Sequence, residues 1–318
     1  MTPPAPVRAV VLGPTYCDLV FGGLERLPEL GEERFARSFL VAPGGSAITA
    51  IALHRLGHAV HLCADVGRDA LAAWLRDALG REGVGIDALR AVQEITPVTA
   101  ALSTAADRAF VTYLEPPGPA PDLAAVLRAA SATHLHVAGF PAALADPGLV
   151  DVAHALGATV SFDPGWDRRA LADPRVRRVA LAADVLLPNR LEAGLLLAED
   201  GDRRAPPDAE AALARLAALR PGRVTVVKDG AAGAWGADGR ASLHVAAPRV
   251  EAIDPTGAGD VFDAGFLDAW WAGEPLEGCL RRGAWSGARA TTAHGGATAA
   301  PTRGQLDAAG RERAGGTT

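Results

Sequence analysis

The residues best suited to chemistry lie at positions 254–263, which read Asp-Pro-Thr-Gly-Ala-Gly-Asp-Val-Phe-Asp. The proline and threonine end an extended segment, and apolar residues at three- and four-residue spacing then predict a helix. The first turn of a helix carries unpaired N–H groups and the positive end of the macrodipole. The small residues Gly257, Ala258 and Gly259 leave that turn open, so we expect it to bind an anion.

Asp260 lies in the same first turn, which places a carboxylate beside the expected phosphate site. A carboxylate there can accept the proton of an attacking hydroxyl group, so the motif predicts phosphoryl transfer with Asp260 as the general base. The macrodipole is expected to keep Asp260 ionised. The alternative is that Asp260 only caps the helix, since Asp is favoured in a first turn.

Two further segments carry candidate contacts to a polar substrate. Asp18 follows the first predicted strand, where an ionised carboxylate can accept hydrogen bonds from two hydroxyls of a polyol, although a turn residue is the alternative. Gly44 and Gly45 precede a predicted helix and allow the backbone to approach a ligand closely. A plain turn with Ser46 as the N-cap residue is the alternative there.

A cation and a polar pair follow two later strands. Lys228 is the chain's single lysine, and its compact ammonium suits a phosphate group, although chance explains one lysine equally well. Asn189 and Glu192 are spaced so that both side chains lie on one side of a first helical turn. That spacing is typical of a capping box, which is compatible with a role at a ligand site.

The overall pattern predicts one α/β domain over residues 1–318. Short apolar strands alternate with amphipathic helices, which indicates a mostly parallel sheet covered by helices on both faces. Residues 19–42 and 98–115 predict a small additional β element, whose second segment turns at about Asp107. Ligands bind beyond the carboxyl ends of the strands in such sheets.

The predicted strands of the later part of the chain are 133–138, 159–163, 184–187 and 223–228. The predicted helices are 46–56, 69–81, 121–130, 148–156, 173–182, 190–198, 207–219, 258–272 and 276–293.

Composition excludes several classes of protein. The net charge of −6 with well-mixed signs argues against a nucleic-acid partner. The three cysteines are far apart, which predicts buried thiols in a reducing compartment and no metal site. No apolar run approaches the roughly 20 residues of a membrane span and no leader is visible, so a cytoplasmic location is expected. No Gly-x-Gly-x-x-Gly follows the first strand, which argues against a dehydrogenase.

The segment from Asp254 to Asp260 resembles the C-terminal signature of the PfkB-type carbohydrate kinases, the ribokinase-like family. Residues 44–57 are similar to the family's first signature, with Thr49 where the family usually has Asn. Asn189-x-x-Glu192 and Lys228-x-Gly-x-x-Gly resemble two further family segments. The resemblance extends over nearly the whole chain.

This resemblance implies a ribokinase-like three-layer sandwich, in which the small β element is a lid, and an ATP-dependent kinase acting on a hydroxyl of a small sugar. The implied catalytic residues are Asp260, Gly257, Ala258 and Gly259. The implied sugar contacts are Asp18, Gly44, Gly45, Thr49 and Asp260. The implied nucleotide contacts are Asn189, Lys228, Gly230, Gly233, Thr256, Gly257, Gly259 and Ala297.

The resemblance also implies Mg²⁺, which Asn189 and Glu192 would hold through water. A K⁺ ion beside Asp254 and Thr256 is a hypothesis, because many relatives bind one there. Two alternative functions stay open: a nucleoside kinase of the same family and a non-catalytic sensor of sugar or nucleotide. A homodimer formed through the lid is a further hypothesis, because exposed strand edges can pair with a second copy.

Overall fold

The structure is a computed structural model that describes residues 6–104, 108–116, 118–198 and 208–314. Its strands are β1 (Arg8–Leu12), β2 (Thr15–Leu24), β3 (Ser38–Gly45), β4 (Ala59–Val66), β5 (Leu89–Ala91), β6 (Val98–Thr104), β7 (Arg108–Tyr113), β8 (His134–Ala138), β9 (Thr159–Asp163), β10 (Val185–Leu186), β11 (Val224–Lys228), β12 (Ala234–Ala237) and β13 (Ser242–Val245). Its helices are α1 (Ser46–Arg55), α2 (Ala70–Arg81), α3 (Leu123–Ala129), α4 (Phe140–Ala145), α5 (Leu149–Ala155), α6 (Arg168–Leu171), α7 (Pro174–Ala182), α8 (Arg190–Leu197), α9 (Ala209–Leu219), α10 (Ala258–Trp271), α11 (Leu276–Ala290) and α12 (Arg303–Ala314).

A nine-stranded sheet lies at the centre, in the order β13-β12-β11-β10-β9-β8-β1-β4-β5. The strands from β11 to β5 pair in parallel, whereas β12 and β13 pair antiparallel. Parallel strands joined by helices are buried on both faces, which requires nearly continuous apolar sequence. In β1 the fully buried Val10 and Val11 pack into separate cores on opposite faces. The predicted mostly parallel sheet is confirmed.

Helices cover both faces of this sheet. One core contains α1, α2, α10 and α11, and the other contains α3, α5, α7, α8 and α9. Helix α10 is buried along most of its length, because it lies between α1, α11 and the sheet. Val261, Phe262, Phe266 and Leu267 supply the apolar surface for those contacts. The three-layer arrangement follows from helices that must each bury one face against the sheet.

A second sheet contains four strands in the order β3-β2-β6-β7. The pairing of β2 with β6 is parallel, and the other two pairings are antiparallel. The chain passes from β1 to β2 through Gly13 and Pro14, so the small sheet starts at the carboxyl edge of the large one. The predicted segments 19–42 and 98–115 thus pair with each other. The first segment is longer than predicted, because β2 and β3 pair from Thr15 to Gly45. Asp107, at the predicted turn, lies outside the described residues.

Helix α12 and the short helices α4 and α6 are absent from the sequence-based prediction. Helix α12 has a mostly polar sequence with Leu306 as its buried residue, so its periodicity is weak. It is held instead by Arg303, which donates to the carboxylate of the fully buried Asp268. His58 and Arg282 bind the same carboxylate, both at 2.9 Å. None of the described helices is both long and apolar enough to cross a membrane.

Candidate active site

The N-terminus of α10 lies beyond the carboxyl end of β11, at the edge where ligands bind in parallel sheets. Gly257 is its N-cap residue and has a φ of 72°, in the left-handed region. A Cβ atom at Gly257 would lie 2.7 Å from Cα of Gly296, so both backbone conformation and space require glycine. The N–H of Ala258 donates to O of Pro255 at 3.3 Å, and Val261 is the first residue to donate to Gly257 O. Gly259 and Asp260 lie between them in the open first turn.

A cavity of about 510 Å³ opens at this helix start. Five residues of the predicted nucleotide and catalytic segments line it: Lys228, Gly230, Gly233, Ala258 and Gly259. Ala297 lies outside its wall, because the residue is buried and its carbonyl accepts from Arg55 Nη1 at 2.6 Å. Ala297, a predicted nucleotide contact, is therefore not among the residues that line this cavity.

Two walls of this cavity consist of residues that were not among the predicted site residues. One is the segment 247–250, and the other is a face of α11 and the residue after it, formed by Ala284, Gly287, Ala288 and Thr291. These four residues recur at the spacing of one helical face, and each is small. A run of small residues on one face of an otherwise well-packed helix leaves room for a ligand. That spacing is the signal that could have identified the wall.

Asp260 is held by the side chain of Thr49 across the site. Thr49 Oγ1 on α1 donates to Asp260 Oδ1 at 3.1 Å. Thr49 is fully buried, so it positions the carboxylate and does not face the cleft, which differs from the predicted sugar contact. Helix α10 has no side-chain cap, so the interpretation of Asp260 as a capping residue does not hold.

Burial opposes the ionisation of Asp260. Burial, and then the negative charge of Asp163, raise the pKa of Asp260 to about 7, whereas the hydrogen bond from Thr49 lowers it. The loss of hydration thus acts against the helix macrodipole, which is expected to keep this carboxylate ionised.

Lys228, which the sequence predicts to be a phosphate-directed cation, is paired with two carboxyl groups. Its Nζ donates to Asp163 Oδ2 at 2.9 Å and to Asp263 Oδ1 at 3.0 Å. Burial opposes the charge of Lys228, but the two carboxylates outweigh it and raise the pKa of the ammonium. The ammonium nevertheless lies beneath the first turn of α10, since a Cβ on Gly259 would be 3.4 Å from Nζ.

The two carboxyl groups bound to Lys228 differ in how readily they are protonated. Burial raises the pKa of Asp163, but Lys228 and a hydrogen bond from Asp263 outweigh it, so the net shift is downward. Burial raises the pKa of Asp263 well above its usual range. Asp263 is therefore the more readily protonated of the two. Asp163 ends β9 and Asp263 lies one turn after Asp260, positions that could have indicated both residues.

Asp18 lies on the opposite side of the site from α10, on β2. It is 6% exposed, and a Cβ on Gly44 would lie 2.2 Å from its carboxylate, so glycine is required by close approach. Burial, and then the charges of Asp260 and Asp254, raise the pKa of Asp18 to about 7. The structure therefore brings Asp18, Gly44 and Asp260, three of the predicted sugar contacts, close together.

The turn that leads into α1 is built differently from the capping alternative. Gly45 is the N-cap residue, with a φ of 60°, and it is Ser46 that begins the helix. Ser46 Oγ donates to Gly13 O at 3.1 Å, and its N–H donates to Pro14 O at 3.0 Å. These bonds attach the Gly44–Gly45 turn to the loop after β1.

Asn189 and Glu192 form the predicted capping box at the start of α8. Asn189 Oδ1 accepts from the Glu192 N–H at 3.0 Å, and Glu192 Oε2 accepts from the Asn189 N–H at 2.8 Å. Burial, and then Asp163, raise the pKa of Glu192 to about 8. Among the described residues, no group of three or more His, Cys, Asp or Glu side chains is arranged to hold a metal ion. Oxygen donors that reach a metal through water and phosphate suit Mg²⁺, and a nearby cation would relieve the cost of ionising Glu192.

Asp254 joins the loop before α10 to the loop after α11. Its Oδ1 accepts from Thr256 N at 2.9 Å and from Thr256 Oγ1 at 2.6 Å, while Oδ2 accepts from Gly295 N at 3.1 Å. The carboxylate is buried. Asp254 and Thr256, the two residues predicted beside a K⁺ ion, therefore bind each other behind the first turn of α10.

The variant Lys228→Met tests the buried charge cluster. Removing the ammonium leaves Asp163 buried without its cation, so the free energy of unfolding should fall by about 3 kcal/mol at neutral pH. The pKa of Asp163 in the folded state then rises above its unfolded value, so the destabilisation should grow as the pH increases. Urea unfolding at about pH 5 and about pH 8 measures both effects.

Arg190→Met is the matched control, because Arg190 binds Asp229 at 3.1 Å near the surface. An exposed pair contributes about 1 kcal/mol or less, so this variant should unfold nearly as wild type at both pH values. Equal losses for the two variants, or a loss for Lys228→Met that does not depend on pH, would contradict the charge assignment.

The chain is similar to one family of known proteins over most of its length. The model of the pfkB family carbohydrate kinases matches residues 10–303. An ATP-dependent ribose-1-phosphate kinase from Halopiger xanaduensis is 31% identical over 93% of this chain and 95% of its own length. A nucleoside kinase from Methanothermobacter thermautotrophicus is 28% identical over 86% of this chain and 85% of its own.

The fold is shared with solved structures. An Escherichia coli protein described as a ribokinase II, in complex with ATP and Mg²⁺, has a TM-score of 0.79 and 22% identity over 96% of this chain and 99% of its own. Sequence and fold agree over nearly the whole length of the chain. The chain therefore belongs to the pfkB family of carbohydrate kinases.

Proposed function

We propose that the protein is an ATP-dependent kinase that phosphorylates a hydroxyl of a small sugar, with Asp260 as the general base. The observation that carries the proposal is the position of Asp260: it lies in the open first turn of α10, next to a cavity of about 510 Å³ and opposite Asp18. A carboxylate that can accept a proton beside an anion site is the arrangement that phosphoryl transfer requires.

The acceptor binds between Asp18 and Asp260. The Asp18 carboxylate accepts hydrogen bonds from hydroxyls of the sugar, and the bare backbone at Gly44 lets the sugar approach. Asp260 takes the proton of the reacting hydroxyl while the oxygen of that hydroxyl bonds to the γ-phosphorus of ATP. The bond from that phosphorus to the β–γ bridging oxygen breaks, and ADP leaves with the electron pair.

The charge that moves with the phosphoryl group is stabilised by the first turn of α10. The N–H groups of Gly257, Gly259 and Asp260 supply donors, whereas that of Ala258 has Pro255 as a partner. Lys228 adds positive potential from beneath the turn, reduced by Asp163. Asn189 and Glu192 would hold Mg²⁺ through water, and this ion would neutralise charge on the ATP phosphates.

The adenosine part of ATP occupies the remaining cavity, between Gly230 and Gly233 on one side and the small-residue face of α11 on the other. K⁺ stays a prediction for the loops joined by Asp254, to be tested by adding the ion to the assay. We also propose a cytoplasmic location, supported by three unpaired, buried cysteines.

We propose that the chain is a single kinase domain and that its four-stranded sheet acts as the lid. The strands of this sheet carry Asp18 and Gly44, so movement of the sheet would change access to the acceptor site. A non-catalytic sensor is disfavoured, because binding alone does not require a hydrogen-bonded carboxylate beside the expected anion site. Nucleoside kinase activity stays an alternative, to be tested by adding nucleosides to the same assay.

Asp260→Asn is expected to lower kcat by about a hundredfold or more, because a general base contributes about 10²–10⁴ in rate. Binding of MgATP should be retained, since the amide has nearly the same shape. ADP release across hexoses and pentoses, with and without K⁺, measures turnover, and calorimetry measures nucleotide binding.

Asp77→Asn is the control, because Asp77 is an exposed carboxylate on α2 that pairs with Arg81. It should leave turnover unchanged. Wild-type rates in Asp260→Asn would refute the role of Asp260 as base.

The pH profile of kcat/KM is expected to fall toward acid with a midpoint near 7, since the base must be unprotonated and the pKa of Asp260 is about 7. Thr49→Val removes a hydrogen bond that lowers this pKa, so the acid limb should move to higher pH. Thr49→Ser keeps the hydroxyl and should restore the wild-type profile. Because the pKa of Asp18 is also about 7, a limb that Thr49→Val does not move would assign the titration to Asp18 instead.

We further propose that two copies associate through the small sheet. Its strands and loops expose several large apolar side chains: Leu30, Phe35, Phe39, Phe110, Val111 and Tyr113. Clustered exposed apolar surface on a sheet with open edges is typical of an interface. Val111→Glu should convert a dimer to a monomer in light scattering, whereas Leu219→Glu, an exposed leucine on α9, should not. A monomeric wild-type protein would refute the proposal.

A further inference from the structure

The large sheet carries a polar ladder on the face that α10 covers, where β8 pairs with β9. Alternate residues of a strand share one face. The residues in register on this face are His134 and Thr159, His136 and Ser161, and Ala138 and Asp163. Both histidines and Ser161 are fully buried. Buried polar side chains are costly without hydrogen bonds, so such a ladder is stable only if its members are bonded.

The lower rung of the ladder fixes the protonation of the His134 ring. Its Nδ1 lies 2.8 Å from Thr159 Oγ1, and its Nε2 lies 2.8 Å from Ser161 Oγ. Burial lowers the pKa of His134 well below its usual range, so the ring is neutral. The indole N–H of Trp271, on α10, donates to Nδ1 at 3.4 Å. Since an indole can only donate, Nδ1 is an acceptor, and Nε2 carries the proton and donates to Ser161.

The upper rung has the same arrangement with one hydrogen bond missing. His136 Nδ1 lies 2.8 Å from Ser161 Oγ. Because the Ser161 hydroxyl accepts from His134, its own proton is donated to His136 Nδ1. Burial lowers the pKa of His136 to about 4, so this ring is also neutral and its proton is on Nε2. This Nε2 is buried and has no hydrogen-bond partner among the residues that the structure describes.

The repeat of the ladder directs the unpaired Nε2–H group toward Asp163. In the lower rung, Nε2 meets the β9 residue that lies two positions beyond the register partner, and for His136 that residue is Asp163. The negative charge of Asp163 acts on the His136 ring, against the larger effect of burial. Asp163 Oδ2 binds Lys228, and Oδ1 accepts from the Gly165 N–H at 3.3 Å. An ionised carboxylate has about four acceptor sites, so it can accept a further bond.

We propose that His136 is a positioning residue of the active site, whose Nε2–H group donates to the Asp163 carboxylate through one buried water. Internal waters typically bridge buried polar groups that the protein itself leaves unpaired. The bond orients Asp163 toward Lys228, and this pair holds the first turns of α10 with Asp260. The inference rests on the proposed function, since it concerns the site of that reaction.

Two measurements on the wild-type protein test the bond without an assay of turnover. Nitrogen-15 NMR of the His136 ring at neutral pH should show a protonated Nε2 and an unprotonated Nδ1. A high-resolution crystal structure should show a water at about 2.7–3.2 Å from both His136 Nε2 and an Asp163 oxygen. The opposite tautomer, or no water between these two groups, would overturn the inference.

Substitutions of His136 test its effect on turnover. His136→Phe removes the donor and keeps a ring, so kcat should fall about tenfold or more, because small displacements of a catalytic group have effects of that size. Binding of MgATP should be retained. His136→Gln should keep most of the wild-type rate, since its amide can accept from Ser161 and donate toward Asp163. His154→Phe is the matched control, because His154 is exposed on α5, and it should leave kcat unchanged.

A double-mutant cycle separates positioning through Asp163 from packing. In an Asp163→Asn background, His136→Phe should have no further effect on kcat, because the carboxylate that His136 orients is gone. The same fold-loss in both backgrounds would assign His136 a packing role only and would overturn the inference. If a variant does not fold, the tautomer and the bridging water of the wild-type protein decide the question.

Failure of the inference and failure of the proposed function are distinguishable. A wild-type rate in His136→Phe, with turnover lost in Asp260→Asn, would overturn the inference and leave the kinase intact. Absence of ADP release from the wild-type protein with every acceptor, with MgATP bound, would contradict the proposed function and, with it, the role of His136 in positioning a catalytic site.

Discussion

The ammonium of Lys228, buried between the side chains of Asp163 and Asp263, determines where the site is. It connects the ends of β11 and β9 to the first turns of α10, three elements that are distant in the sequence. Because loss of one partner would leave a buried charge without compensation, the helix cannot shift without a large cost. The first turn of α10, with Asp260, is thereby held at the edge of the sheet.

Close backbone contacts complete this positioning. Gly257 lies against Gly296, and Asp254 binds the backbone at Gly295, so the loops before α10 and after α11 support each other. The first turn of α10 therefore stays open without a capping side chain. A capping side chain would accept hydrogen bonds from the same N–H groups that a bound anion would need.

The crowding of carboxyl groups has a thermodynamic consequence. The folded-state pKa values of Asp18, Asp260 and Glu192 are raised to about 7, 7 and 8, above their usual values of 3.8 to 4.5. The unfolded chain releases these protons at lower pH, so these groups make the folded state less stable as the pH rises from about 4 to about 8. Such a cost is typical of a site arranged for chemistry, and a bound cation would reduce it.

Local patterns in the sequence by themselves determined the α/β class, the alternating elements, the capping box at Asn189 and the uncapped, small-residue start of α10, because each depends on residues close together in the chain. Only the tertiary structure decided the partners of Lys228, the hydrogen bond from Thr49 to Asp260 and the raised pKa of that carboxylate. These depend on burial and on distances between residues 35 to 211 positions apart, which spacing along one strand or helix does not contain. Helix α12 belongs to the same group, since it is held by Arg303 bound to a buried Asp268 and carries little periodicity of its own.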